Sequence, residues 1–266
     1  RDVAETLEAL HPAFIRWPGG GIVEGITLSN RVKWKETIGD PVKRPGQYNL
    51  WGYRSTYGFG YHEFLQFCED IGADAMFVCN AGLGGQAAVG DACPEEELDL
   101  FIADALDAIA AADLILLGPG SLYTSIIPNL LVDGVAEAIA ASDAQKIYVC
   151  NIMTQDGETE GYTAADHLAA LLRHGTADMV ELCLANSSPI PPELAERYRA
   201  EGAEVLTVDR ERIAQMGIEL VERPLASPSG DFARHDPDAL ASAVLDIYRA
   251  RAVHIYGGRE SYRIEK

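Results

Sequence analysis

The chain has 266 residues, a formal charge of −20 from 41 acidic against 21 basic side chains, and 48% hydrophobic content. That length supplies one large or two small domains with ample material for a core. The acidity argues against a nucleic-acid surface; an anionic ligand has to be held by backbone amides and a few local cations, against the overall field.

Residues 2–10 predict a short amphipathic helix with Val3, Leu7 and Leu10 on one side, ended by His11-Pro12. Residues 13–17 predict a strand, stopped by Pro18-Gly19-Gly20-Gly21. Residues 22–60 read as irregular, a length that is unusual unless functional. Trp34, Tyr48, Trp51, Tyr53, Tyr57 and Phe59 crowd that segment. Such rings either offer a stacking surface to a flat ligand such as a sugar, or pack a long loop onto the body. A helix is expected over 62–71, capped by Gly72, then a buried strand over 75–79 and a Gly-rich loop over 80–92. Pro94 opens a helix to about 111, with Glu95, Glu96 and Glu97 complementing its dipole.

Further strands are expected at 114–117, 146–150, 179–184 and 205–208, and helices at 163–172, 192–201 and 236–248. The tail beyond Arg251 reads as loosely held. Strands alternate with helices as in βαβ units, and three strands are near-continuous apolar runs, as in a covered parallel sheet. The five cysteines are widely spaced without a CxxC pair, so neither a disulfide framework nor a metal site is expected. With no apolar run of membrane length and no signal-like leader, the expectation is a cytoplasmic location with no membrane partner.

The stretch around which the chain is organised is 112–131. An apolar strand breaks at Gly118-Pro119-Gly120, hydroxyls follow at Ser121, Thr124 and Ser125, and a helical pattern runs on through Val135 and Ile139. Strand, glycine turn, hydroxyls and helix suit an anion site, because the first amides of a helix point outward without partners. No Gly-Lys-Ser/Thr follows, so this is not a Walker A loop. The same residues also make a plain strand-to-helix turn with capping hydroxyls. The ligand reading requires the protein to leave those amides unpaired.

Residues 10–109 resemble the family 51 α-L-arabinofuranosidases. The resemblance rests on Phe14-Ile15-Arg16-Trp17-Pro18-Gly19-Gly20, the run from Asn30 to Gly39, Arg44-Pro45-Gly46, the run from Tyr57 to Phe64, and Asn80-Ala81-Gly82-Leu83. It implies a fragment built from (β/α) barrel units, with Arg16 and Trp51 as the remnant of a sugar subsite. The acid/base of that family follows an Asn in an Asn-Glu pair, and this sequence contains no such pair. Glu24 and Glu36 therefore read as surface or structural. Residues 112–245 resemble a different family, that of the gluconeogenesis factors related to 2-phospho-lactate transferases. This rests on residues 118–131 and 150–159, Asp166-His167 and His235-Asp236. It implies a nucleotide-linked ligand such as a UDP-sugar, with no further cofactor.

The expected architecture is α/β, a mostly parallel, Rossmann-like sheet with helices on both faces, in two parts over 1–109 and 110–266 or merged into one sheet. The join falls within 104–112, as in a fusion or chimera. In an open parallel sheet, ligands lie at the carboxyl ends of the strands. The candidate ligand-binding set is accordingly Gly118, Gly120, Ser121, Thr124, Ser125, Asn129, Asn151, Thr154 and Gln155. The expected function is binding of a nucleotide or nucleotide-sugar without turnover. The alternatives are an arabinofuranosidase-like hydrolase fragment and a joined chain with no working site. The oligomeric state stays open.

Overall fold

The computed structural model describes residues 2–49, 51–85, 91–227 and 232–256. The chain divides into two compact units, Arg1–Ala108 and Ile109–Lys266. In chain order, the first unit contains α1 (Asp2–Glu8), β1 (Phe14–Trp17), α2 (Gly20–Glu24), β2 (Gln47–Tyr48), β3 (Arg54–Ser55), α3 (Tyr61–Ile71), β4 (Asp74–Phe77), β5 (Leu83–Gly84) and β6 (Asp91–Ala92). Helix α4 (Leu98–Ala110) follows, and the division falls near its end. The second unit continues with β7 (Leu114–Leu117), α5 (Ile127–Leu130), α6 (Val135–Ala141), β8 (Gln145–Val149), α7 (Ala164–His174), β9 (Leu182–Asn186), α8 (Pro192–Ala200), α9 (Arg210–Gln215), β10 (Glu219–Arg223) and α10 (Pro237–Tyr256).

In the first unit, β1 and β4 pair in parallel, from Phe14 opposite Asp74 to Trp17 opposite Phe77. Trp17 stacks on Phe64 at 5.6 Å between ring centroids, and Trp34 meets both Tyr61 and Phe77 at 5.3 Å. Part of the aromatic crowding is therefore core: Tyr57 is buried, and Phe64 on α3 is fully buried. Trp51 and Tyr53 remain outside, stacked on one another at 6.4 Å. The segment expected to be irregular contains α2, three 3₁₀ turns and the β2–β3 hairpin. Arg44 ties it to α3, donating to both oxygens of Glu63 (2.7 and 2.8 Å) and to the carbonyls of Tyr57 and Gly39. That guanidinium holds the Glu63 carboxyl down at about 2. Phe64→Ala is expected to cost about 3–5 kcal/mol in urea unfolding, since it empties the middle of this core.

The second unit is a four-stranded, all-parallel sheet in the order β10-β9-β8-β7. On one face Ile147, Val149, Leu182 and Leu184 pack against Leu225 and against Ala243 and Val244 of α10. The alternate positions Tyr148 and Cys183 are fully buried on the other face. Residues 205–208, expected to be a strand, make only single backbone pairings, Met153 with Val205 and Thr163 with Thr207. The fourth strand is instead β10, whose Glu-Leu-Val-Glu-Arg sequence hides it behind three charged residues. It is an edge strand, where charged side chains are the normal protection. The strand expected at 179–184 begins three residues later, and α9 was not expected at all. The helical pattern after the glycine turn breaks: residues 122–130 and α6 meet at 77°. Helix α10 runs to Tyr256, five residues into the tail expected to be loosely held; residues 257–266 lie outside the described residues, as do 86–90 of the Gly-rich loop. Among the described residues, no single helix is long and apolar enough to cross a membrane.

Candidate functional site at the carboxyl edge of the sheet

Three segments meet where the parallel strands end: the turn after β7, the loop after β8, and the turn after β9. The first begins at Gly118, whose φ is +87°. A Cβ there would lie 2.8 Å from the Val149 carbonyl of the neighbouring strand, so this glycine lets two backbones approach rather than admitting a ligand. Gly120 is roomier, its Cβ position being 3.3 Å from the Ser125 Cβ. Asn151, just past β8, donates its amide to the Gly120 carbonyl at 2.9 Å and so joins the first two segments.

After Ser121 the helix opens with a π-type turn, in which the Ile126 amide reaches the Ser121 carbonyl at 3.0 Å. The entrance amides, however, are not free. One oxygen of Glu158, Oε1, accepts from Ser121 Oγ (2.5 Å), from the Tyr123 amide (2.8 Å) and from the Thr124 amide (3.1 Å). The Ser121 and Thr124 hydroxyls also bond one another. This corrects the expectation of unpaired amides. The physical reason is the one that motivated it: exposed helix-start amides attract negative charge, and a glutamate from the next loop supplies it. Glu158 was missed because a single acid in a polar loop carries no mark of what it faces. Its one available signal is its place in a loop on the same rim as a helix start.

The remaining expected residues divide. Ser121, Thr124, Gly120 and Asn151 do come together around this turn. Ser125 is exposed, and its carbonyl accepts from Asn129, whose amide thereby closes on its own helix at 2.6 Å. Thr154 is buried and bonded to Glu204 through both its hydroxyl and its amide. The Gln155 side chain is exposed, while its amide bonds the Thr159 hydroxyl at 2.9 Å. Asn129 and Thr154 are thus spent on the fold. In the other unit, Arg16 is exposed and has no hydrogen bond or ion pair among the described residues, and Trp51 is exposed beside Tyr53. Glu36 pairs with Lys33 on the surface.

Beneath the turn, Tyr123 and Tyr162 share a hydroxyl–hydroxyl bond of 2.9 Å, and the Tyr162 ring meets His167 edge-on. His167 is fully buried; its Nδ1 donates to the Thr163 carbonyl at 3.0 Å, while Nε2 has no partner among the described residues. Burial pushes its pKa down, and His235 is lowered for the same reason. Asp166 is held at about 2 by the Arg212 guanidinium. The two effects act in different pH windows. A histidine depressed below its ordinary value near 6.5 takes up a proton more readily unfolded, so stability falls as pH drops through about 6.5. A depressed carboxylate contributes stability above its ordinary value and loses it as pH falls from about 4 towards 2. Urea midpoints are expected to decline in these two steps, and His167→Gln is expected to shrink the first step while sparing the second.

The third segment forms a cleft of about 200 Å³. It is lined by the buried Ile152, Ala185 and Leu206 together with Asn151, Ser187 and Ser188. Arg210 and Glu222 also line it, paired at 2.6 and 2.9 Å. Asn186 shapes the cleft: its Oδ1 accepts from the amides of Ser188, Leu225 and Ala226, and its Nδ2 donates to the Ser188 carbonyl. Sequence reasoning missed this turn, although a strand ending in Asn-Ser-Ser-Pro is a recognisable punctuation signal. No cluster of three or more His, Cys, Asp or Glu able to hold a metal lies among the described residues.

Comparison with known proteins finds two families in the chain, with matches that overlap over residues 84–113. A family model described as alpha-L-arabinofuranosidase 1 domain matches residues 6–113. The gluconeogenesis factor of Bacillus subtilis (strain 168) is 42% identical over 146 residues, covering 55% of this chain and 46% of that protein. The putative gluconeogenesis factor of Thermotoga maritima is 45% identical over 149 residues, covering 55% and 47%. The chain thus spans about half the length of the relatives it matches. A crystal structure of a UPF0052 family member from Bacillus halodurans superposes with a TM-score of 0.53 at 31% identity, covering 68% of this chain and 65% of that one. The Rossmann-like α/β architecture is shared with it. A model described as 2-phospho-L-lactate transferase CofD matches residues 84–226, more than half of the chain, and the protein therefore belongs to the CofD family.

Proposed function

We propose that the protein binds a small anionic, nucleotide-linked ligand of the UDP-sugar class at the carboxyl edge of its four-stranded sheet. The observation that carries this reading is the convergence of Ser121 Oγ and the Tyr123 and Thr124 amides on one carboxylate oxygen. Three donors aimed at a single anionic oxygen form a receptor for a phosphate as well as for a glutamate. Because Glu158 occupies these donors, the reading requires the ligand's phosphate to displace that carboxylate before the amides become available. Asn151, linked to Gly120, lies where the rest of the ligand continues. Family membership supports the same class of ligand, and the named relatives are gluconeogenesis factors. Binding without turnover remains the preferred reading, since the glycosidase pair is missing from the sequence.

Calorimetric titration with a UDP-sugar tests it. Saturable heat is expected, and Glu158→Ala is expected to tighten binding about tenfold, because the ligand no longer competes with a tethered carboxylate. Heat indistinguishable from dilution at millimolar ligand, in the protein and the variant alike, removes the proposal. A chromogenic arabinofuranoside assay addresses the hydrolase alternative; turnover abolished by Glu24→Ala or Glu36→Ala would reinstate it.

A further inference from the structure

We infer that β7 is a pairing edge, through which two copies of this chain join their sheets antiparallel about a two-fold axis at Ile115. The inference is independent of the ligand site. The sheet has two edges, β7 and β10, and they differ in kind. β10 carries Glu219, Glu222 and Arg223, charges that keep a foreign strand from docking. β7 is Leu-Ile-Leu-Leu, with no charge, no proline and no glycine. An apolar edge without such protection recruits another strand.

The ladder to β8 fixes which backbone groups are on offer. The Asp113 carbonyl accepts from the Gln145 amide at 3.0 Å, and β7 then runs in register with β8 from Leu114 opposite Gln145 to Leu117 opposite Tyr148. Successive peptide groups of a strand turn to opposite edges. Ile115 and Leu117 therefore face β8 as Asp113 does, and Leu114 and Leu116 turn outward. The outward amides and carbonyls have no hydrogen-bond partner among the described residues. The side chains agree: Leu116 is 44% exposed, although Ile147, opposite it on β8, is fully buried.

A second copy of the chain fits this edge. The edge calls for an extended, uncharged, apolar segment, and β7 is itself such a segment. Laid antiparallel across a two-fold axis at Ile115, Leu114 of each copy lies opposite Leu116 of the other. Each of these pairs exchanges two backbone bonds, so four bonds form and none of the outward groups of Leu114 and Leu116 is left over. A contact that maps onto itself closes at two copies. The charged β10 edges at the two ends of the joined sheet then stop further growth. Four residues a side fall well short of the about 20–30 of a stable interface, so the dimer is weak. Each chain carries a charge of −20, and that repulsion acts through solvent, where salt screens it.

Sedimentation equilibrium of the full chain, from about 10 µM to about 1 mM and in about 0.05 and about 1 M sodium chloride, tests this. The mass is expected to rise from one chain to two and no further, at lower protein concentration in the higher salt. Leu116→Pro removes an amide that points outward and leaves the ladder to β8 in place. It deletes two of the four bonds and is expected to weaken the dimer about tenfold or more. Leu116→Glu keeps the amide and places like charges near the axis, at a side chain exposed in the single chain, with a similar loss expected. Hydrogen exchange reads the edge itself: as concentration rises, the Leu114 and Leu116 amides are expected to slow, while those of Ile115 and Leu117, already bonded to β8, do not change. A single chain at every concentration overturns the inference. So does a dimer that survives both variants with Leu114 and Leu116 exchanging freely, since the contact then lies elsewhere. Slow exchange of these two amides in the single chain also overturns it, because the chain then covers its own edge.

Discussion

Asn186→Leu is expected to lower unfolding stability by about 3–4 kcal/mol, a large fraction of the about 5–15 kcal/mol that a domain has. The side chain is nearly isosteric, so little packing is lost. What is lost is an acceptor shared by the Ser188, Leu225 and Ala226 amides, each bonded at 2.9–3.0 Å. Leaving a partly buried donor without a partner costs about 1–3 kcal/mol, and water repairs some of the three. Asn186→Asp keeps the acceptor and sacrifices only the bond to the Ser188 carbonyl, so about 1 kcal/mol is expected. Urea denaturation of the two variants beside the parent measures both. Equal losses for Leu and Asp would mean that the carbonyl oxygen is not what holds this turn.

The second large effect separates two glycines that the sequence presents as equivalent. Gly118→Ala is expected to cost about 3–5 kcal/mol. It forces an alanine to φ +87° and drives its Cβ to 2.8 Å from the Val149 carbonyl, which β8 cannot move aside. Gly120→Ala has no left-handed penalty and meets only the Ser125 Cβ at 3.3 Å, so its stability is expected to change by less than about 1 kcal/mol. Thermal and urea midpoints decide between them. A cheap Gly118→Ala would show that β7 and β8 can separate at their carboxyl ends.

This contrast shows what was legible in the chain and what was not. The runs that became β7, β8 and β9 were legible because each carries three or more consecutive apolar residues, Leu114–Leu117, Ile147–Val149 and Leu182–Ala185. β10 escaped because an edge strand is free to carry Glu219, Glu222 and Arg223. The glycine turn does follow β7 at the carboxyl edge of the sheet, but the role of Gly118 depends on a neighbouring strand 31 residues onward, which no local pattern reports. Thr154 and Asn129 look like ligand donors in sequence; their partners, Glu204 and the Ser125 carbonyl, exist only once the loops are folded. Glu158 is the clearest case. Its neighbours in sequence say nothing, and its three donors come from residues 34–37 positions earlier.

Unit one adds a similar lesson. A long segment rich in rings and glycines reads as a loop with a binding surface, and part of it packs inward: Trp34 and Tyr57 are used in packing, and the Arg44 side chain is buried to clamp Glu63. Among the described residues, Trp51 and Tyr53 are the rings of that segment that stay both exposed and stacked on one another.

The measurement that bears most directly on the central claim is a titration of the labelled, full-length chain with a UDP-sugar, following the backbone amides of Tyr123 and Thr124 together with the Glu158 side-chain carboxyl. The account predicts that both amides shift saturably and that the Glu158 carboxyl signal moves in step, as the glutamate yields its donors to phosphate. Saturation of the protein with those amides and that carboxyl unmoved would contradict it, and Glu158 would then be a helix cap and nothing more.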